Sequence, residues 1–270
     1  MIPKIIHYSW ISNEPMPETL QLCMESWHRV MPEYQLMLWD ADRIAQEVDC
    51  VFVDEALSAR KWAFAADYVR LYAVYKYGGV WLDTDVQVLR PFDSLMDGRM
   101  FIGKEKLALY HYGEKIGWVN NLTSHCFGAE VGHPFLLRCL SHYEGRHFVL
   151  SSCETLPLSL RYDMRLLPEI QATLAQEYGY DGNPLYDDKE ELLNEDIKVL
   201  PFYVFDSPHY HNMDDVFCIH HQAGGWFAGK DGKQMSLSRL MNRKGMSYYM
   251  LTFVNWLLKR KHLRIQVQSL

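Results

Sequence analysis

The stretch ALSARKWAFAADYVRLYAVYKYGGVWLDTDV, residues 56–86, decides the fold. Its first part reads as a helix that starts at Asp54 and Glu55 and stops at Gly78-Gly79. Acidic residues at the head suit the helix dipole, and glycine at the end supplies a left-handed cap. Val80-Trp81-Leu82 then reads as a buried strand, followed by DTDVQVL and closed by Pro91. Working outward, Ile2 to Trp10 predicts a first strand and residues 18–30 a helix that stops before Pro32. Tyr34 to Trp39 predicts a second strand, residues 41–49 a short helix, and 51–53 a short strand. This alternation predicts an α/β layer with a mostly parallel, Rossmann-like sheet, in which ligands bind outside the carboxyl ends of the strands.

Beyond residue 100 the pattern predicts strands at FIGKE (101–105), within 114–130, at 197–205 and at 216–221. Helices are expected at 134–143, 164–178 and, as a helical C-terminal extension, 234–262. No linker or repeat interrupts the chain. It reads as one domain, made of a first half (1–105), a second half (106–230) and a tail (231–270).

The 270 residues carry a net charge of −7, which argues against a general nucleic-acid binder. Six scattered cysteines without a CxxC pair read as reduced thiols, consistent with a cytoplasmic setting. The opening MIPKIIHYSWIS is not a signal peptide, and no run of about 18 apolar residues spans a membrane.

Asp83 and Asp85 are the strongest chemical signal. Their two-residue spacing puts both carboxylates on one side if the backbone stays extended, where they repel and invite a hard divalent cation. The alternative is a solvated turn. Asp67 and Arg70, three apart, share a helix face upstream. Arginine presents a planar fork suited to a diphosphate, whereas an ordinary surface ion pair is worth only a few tenths of a kcal/mol. His7 reads as a core histidine bonded to backbone. Tyr110, His111, Tyr112 and Trp118 form an acceptor platform or simply pack, and HYHNMDD (209–215) reads as a polar loop. The stretch 246–264 pairs an apolar, aromatic run with a basic cluster, which suits either peripheral membrane contact or a core helix.

IPKIIHYSWIS, SWHRVMPEY with LWD, and AFAADYVRLYAVYKYGGVWLDTDV, in that order, resemble the family-32 glycosyltransferases. The similarity resumes at IHHQAGGW (219–226). The resemblance implies a GT-A (nucleotide-diphospho-sugar transferase) fold, a nucleotide-sugar donor, Mn²⁺ or Mg²⁺, a saccharide or lipid-linked acceptor, and retention at the anomeric carbon. It implies that Trp10 stacks on the base, and that Asp67 and Arg70 meet ribose, sugar and phosphates. Asp83 would contact ribose and sugar, and Asp85 would ligate the metal. One member of the pair His220-His221 is expected to be functional; His221 would complete the metal or phosphate site, and Trp226 would donate to the β-phosphate. Gly225 stands where the family commonly has serine, so a hydroxyl contact is missing there. UDP-sugars are favoured over GDP-sugars by family frequency, and capsule or lipopolysaccharide synthesis is the expected setting.

Two other classes compete. A phosphatase of the haloacid dehalogenase type wants Thr or Val where Gln87 stands, and its motif on the first strand. A non-catalytic sugar-binding scaffold has no need for Asp67 and Arg70 beside the acidic pair.

Overall fold

The computed structural model describes residues 1–12, 14–112, 115–183, 188–205 and 213–221. The chain divides into two units, Met1–Ala223 and Gly224–Leu270, and every described residue belongs to the first. Gly225, Trp226 and the 234–262 and 246–264 stretches therefore lie outside the described residues.

The first unit is built on a seven-stranded sheet in the order β2-β1-β3-β6-β5-β8-β7. Its strands are β1 (Ile5–Ser9), β2 (Gln35–Trp39), β3 (Gly79–Leu82), β5 (Met100–Tyr112), β6 (Lys115–Ala129), β7 (Glu191–Leu193) and β8 (Ile197–Leu200). β1 pairs in parallel with β2 and β3, and β5 with β8, while β6 and β7 run the opposite way. Five of the seven strands thus share one direction, the mostly parallel α/β sheet expected of the GT-A fold. A two-stranded sheet pairs β4 (Val86–Val88) with β9 (Cys218–His220).

Helices cover both faces, and alternation along β3 divides them. Val80 and Leu82 pack in a core with Trp27 of α1 (Glu18–Val30). Trp81 packs on the other side, with α2 (Ala41–Glu47), α3 (Val51–Ser58), α4 (Trp62–Tyr77), α5 (Pro134–Ser141) and α7 (Leu167–Ala175). A four-residue helix, α6 (Leu158–Arg161), completes the set of described α-helices.

Two local expectations are corrected. Residues 51–53 are helical, because Phe52, Val53 and Ala56 bury one helical face and Asp54 sits in the first turn. The helix expected to run unbroken from residue 54 to 77 is two helices, divided where Arg60 takes the left-handed conformation at φ 55°. The expected glycine stop is present. Gly78 has φ 64° and Gly79 φ 106°, and a Cβ on Gly79 would fall 2.6 Å from the Ile5 carbonyl oxygen.

His7 fastens that stop to the sheet. Its Nε2–H donates to the Gly78 carbonyl at 2.8 Å, and its Nδ1 accepts from the Trp39 indole N–H at 3.2 Å. Carbonyl and indole fix these roles, so the ring is neutral, and burial pulls its pKa down to about 4. The unfolded chain takes up this proton near pH 6.5 while the folded state refuses it. Stability is therefore full above pH 6.5 and is lost as pH falls toward 4, by up to about 3 kcal/mol. Urea unfolding across that window measures it, and His7→Gln, which takes up no proton, should lack this part of the slope.

Candidate active site

At the carboxyl end of β3 the backbone does not stay extended. Residues 84–85 form a turn closed by the Val86 N–H donating to the Asp83 carbonyl at 3.0 Å. The expectation that an extended strand aligns the two carboxylates is thus corrected. The turn does the gathering, and β4 then leaves the main sheet. Backbone and side-chain bonds from neighbours hold this geometry. The Asp83 N–H donates to the His125 carbonyl at 2.9 Å, the Trp27 indole donates to the Val86 carbonyl at 2.7 Å, and the Ser26 hydroxyl accepts from Val88 N–H at 2.8 Å.

β9 lies antiparallel to β4 with His220 opposite Val86, and the His221 N–H donates to the Asp85 carbonyl at 3.0 Å. This register turns His220 toward the acidic turn, its Nε2 3.4 Å from Asp85 Oδ1. One ligand atom each from Asp83, Asp85 and His220 fall within 4.8 Å of one another. His221, the residue assigned to this place from the resemblance, is not there. Neighbouring strand residues face opposite sides, and His221 is exposed with its Nε2 3.0 Å from Gln87 Oε1.

Behind His220 stands His125, buried, with ring centroids 4.0 Å apart and planes 21° from parallel. Its Nε2–H donates to the Phe205 carbonyl at 3.1 Å. Burial, with His220 adding to it, drives its pKa well below the usual histidine range. A neutral ring there supports the His220 imidazole without opposing a cation in front of it.

The second cluster adjoins the first through Asp83. Arg70, buried on α4, places Nη2 3.2 Å from Asp67 Oδ1 and Nη1 3.3 Å from the Asp83 carboxylate. Nη1 also donates to the Ser124 carbonyl at 2.7 Å, and Nε to the Ala66 carbonyl at 3.2 Å. Trp81 completes the cage. Its indole N–H donates to Asp83 Oδ1 at 2.7 Å, and the Arg70 guanidinium lies 5.5 Å from its ring centroid. Asp67 is buried and accepts from the Leu167 N–H at 3.4 Å. Burial pushes its pKa up to about 6, against the pull of Arg70. Two carboxylates and one guanidinium leave this cage one negative charge in excess when both acids are ionised.

Trp10 stands just beyond β1, half-buried, its indole N–H donating to the Glu14 carbonyl at 2.9 Å. The structure thus joins Asp67, Arg70, Asp83 and Asp85 in one continuous group. His125, His220 and Trp81 belong to it; the sequence pointed to one member of the pair His220-His221 without deciding which, and it singled out neither His125 nor Trp81. His220 lay within the quoted IHHQAGGW stretch, and only the β4–β9 register separates it from its neighbour. His125 and Trp81 carry no local signal, since their roles arise from strand pairing.

Residues 17–102 match the family model described as a glycosyltransferase sugar-binding region containing the DXD motif. Inositol phosphoceramide mannosyltransferase 3 of Schizosaccharomyces pombe is 30% identical over 145 residues, covering 51% of this chain and 36% of the relative. Mannosyl phosphorylinositol ceramide synthase SUR1 of Saccharomyces cerevisiae is 27% identical over 155 residues, covering 55% and 37%. Among solved structures, PaToxG glycosyltransferase aligns with a TM-score of 0.42 at 17% identity, over 65% of this chain and 69% of that one. The chain spans well under half the length of these two curated relatives. Residues 17–102 are thus similar to the sugar-binding region of DXD-containing glycosyltransferases, the stretch that carries Asp67, Arg70, Asp83 and Asp85.

Proposed function

We propose that this protein is a metal-dependent, retaining glycosyltransferase that moves a hexosyl unit from a nucleoside diphosphate sugar to an acceptor hydroxyl. The convergence of Asp83, Asp85 and His220 donor atoms within 4.8 Å, beside a buried arginine, carries the reading. Two carboxylates and an imidazole suit a divalent ion, and the mixed oxygen and nitrogen set suits Mn²⁺ better than the all-oxygen preference of Mg²⁺. Such an ion would neutralise the diphosphate leaving group.

The chain's own residues divide the remaining work. Asp85 and His220 would hold the ion. Asp83, fixed by Arg70 and the Trp81 indole, faces ribose and sugar. Arg70 supplies positive charge where negative charge develops as the sugar–diphosphate bond breaks. Asp67 keeps that guanidinium aimed. Trp10 offers a ring for the base. Attack by the acceptor hydroxyl comes from the face the diphosphate leaves.

A haloacid dehalogenase-type phosphatase is disfavoured on the same geometry. Asp83 accepts from Arg70 and Trp81, which makes it a poor nucleophile. A scaffold without activity would have no reason to confine a buried arginine between two acids.

The names of the two curated relatives favour mannose as the transferred sugar and a lipid-linked acceptor, in place of a capsular or lipopolysaccharide one. Family frequency favours UDP-sugars as donors, whereas a mannosyl unit points to a GDP-sugar, so the two indications diverge on the base. A thermal-shift panel of UDP- and GDP-sugars, with and without Mn²⁺, tests both points. One nucleotide class should raise the midpoint only when the metal is present. A metal-independent rise, or none with any donor, contradicts the proposal.

A further inference from the structure

Residues 148–163 form a loop closed at its base and bare at its tip. The base is hydrogen-bonded: Val149 bridges Tyr162, the Leu150 N–H donates to the Arg161 carbonyl at 2.8 Å, and the Asp163 N–H to the Phe148 carbonyl at 2.9 Å. Phe148 stacks on Tyr162 at 5.1 Å and packs against Phe52 and Phe64, so the base is rooted in the core. Every residue of the tip, Ser152–Leu160, is exposed, and the short α6 within the loop buries nothing.

What the loop exposes is apolar. Leu150 is 57% exposed, Leu156 36%, Leu158 48% and Leu160 57%. Four exposed leucines on one anchored loop signal a surface meant to be covered. The acids at its base are engaged, Glu55 by the Val149 N–H at 2.9 Å and by His147, and Asp163 by two arginines, while cations beside the loop are not ion-paired. The Lys61 ammonium lies 5.9 Å, and the Arg161 guanidinium 5.2 Å, from the Tyr162 ring centroid. Arg60 precedes Lys61 in the turn between α3 and α4. None of these three has an ion-pair partner among the described residues, whereas Arg146 and Arg165 are both paired with Asp163. Glu154 is the only acid in the tip.

We infer that the 148–163 loop docks on an anionic lipid surface, its leucines entering the acyl boundary while Arg60, Lys61 and Arg161 meet the headgroups. Apolar insertion and basic residues at the interface add to give the binding, as in amphipathic membrane-surface segments. A second copy of this chain would bury leucines equally well, but would leave the three cations facing their own kind. The docking has a consequence for the active site. A few residues past the loop, the Leu167 N–H bonds Asp67, so the loop and the Asp67–Arg70 cage share one stretch of chain. The inference goes beyond the proposed transfer and holds whether or not the donor site does, because the test uses neither donor nor metal.

Co-sedimentation of the full chain with phosphatidylcholine vesicles, with and without roughly a third phosphatidylserine, tests it. The protein should sediment with the anionic vesicles. The variant carrying Leu156→Ser, Leu158→Ser and Leu160→Ser should partition at least about tenfold less. Lys61→Ala with Arg161→Ala should lose the preference for phosphatidylserine. The triple-serine variant should keep the wild-type unfolding midpoint, and the double-alanine variant, which loses its contacts on Tyr162, should fall by only a few degrees and stay folded at the assay temperature, which separates lost docking from lost fold. Failure of the wild type to sediment overturns the inference. So does wild-type sedimentation of the triple-serine variant, which would place binding elsewhere in the chain. A wild-type dimer in gel filtration that the serine substitutions dissociate, without vesicle binding, would assign the loop to self-association and also overturn it.

Discussion

Asp85→Asn should reduce turnover by about 100- to 1,000-fold while leaving the fold intact, the size of effect seen when one charge-stabilising contact is lost. The amide has the shape of the carboxylate but not its charge, and its N–H₂ would face the His220 ring 3.4 Å away where a cation is meant to sit. The turn itself does not depend on the side chain. It is held by the Val86 N–H on the Asp83 carbonyl and the His221 N–H on the Asp85 carbonyl, and both survive the substitution. Stability should therefore change little and the metal-dependent thermal response to donor should vanish. Initial rates with the donor found in the panel, compared at matched unfolding midpoints, measure this. A variant working within tenfold of wild type would remove Asp85 from the site.

Arg70→Ala should be the most destabilising substitution in the site. The side chain is 6% exposed and is the common partner of Asp67, Asp83 and two backbone carbonyls. Removing it leaves a buried Asp67 and a more open Asp83 repelling each other, with the Ser124 and Ala66 carbonyls short of a donor. Breaking a buried pair typically costs about 3–5 kcal/mol. Asp83, whose side chain is 28% exposed, can recruit water, so the lower end is expected, or roughly 6–12 °C in the midpoint. Arg70→Lys keeps the charge but lacks the fork that reaches both carboxylates, and should recover stability without recovering turnover. Adding Asp67→Asn to Arg70→Ala should restore part of the lost stability, because it removes one of the two opposed charges. Calorimetric midpoints of the four proteins test this. A wild-type midpoint for Arg70→Ala would mean that the cage is not a structural unit.

The first hundred residues were largely legible because their elements announce themselves locally. Gly78 and Gly79 mark a stop that no side chain could occupy, Pro32 closes α1, and β3 is a short apolar run bounded by glycine and aspartate. The misreadings there share one cause. Val51 to Val53 are good strand formers, yet burial of Phe52 and Val53 in the core shared with α4, Tyr143 and Phe148 overrides propensity. Nothing in Arg60 announces a left-handed break, because tertiary packing imposes it.

The site was legible in its acids and its arginine, and in its histidines only as a pair of which one would serve. Asp67 and Arg70 lie one helical turn apart, and Asp83 and Asp85 flank one residue, so both pairs show in a linear reading. His220 and His221 are chemically identical in the sequence. Only the pairing of β4 with β9 decides which ring meets Asp85. His125 comes from the middle of β6, and its place behind His220 depends on a sheet assembled from distant segments. Long-range register is the one thing that local periodicity does not encode.

The most direct measurement is the crystal structure of the protein grown with Mn²⁺ and a nucleoside diphosphate, located by the anomalous signal of the metal. One manganese peak should lie between Asp85 and His220 with Asp83 beside it. His220→Ala should abolish it, and His221→Ala should leave it in place. A peak held by His221, a peak remote from the turn after β3, or full occupancy in His220→Ala would contradict the account.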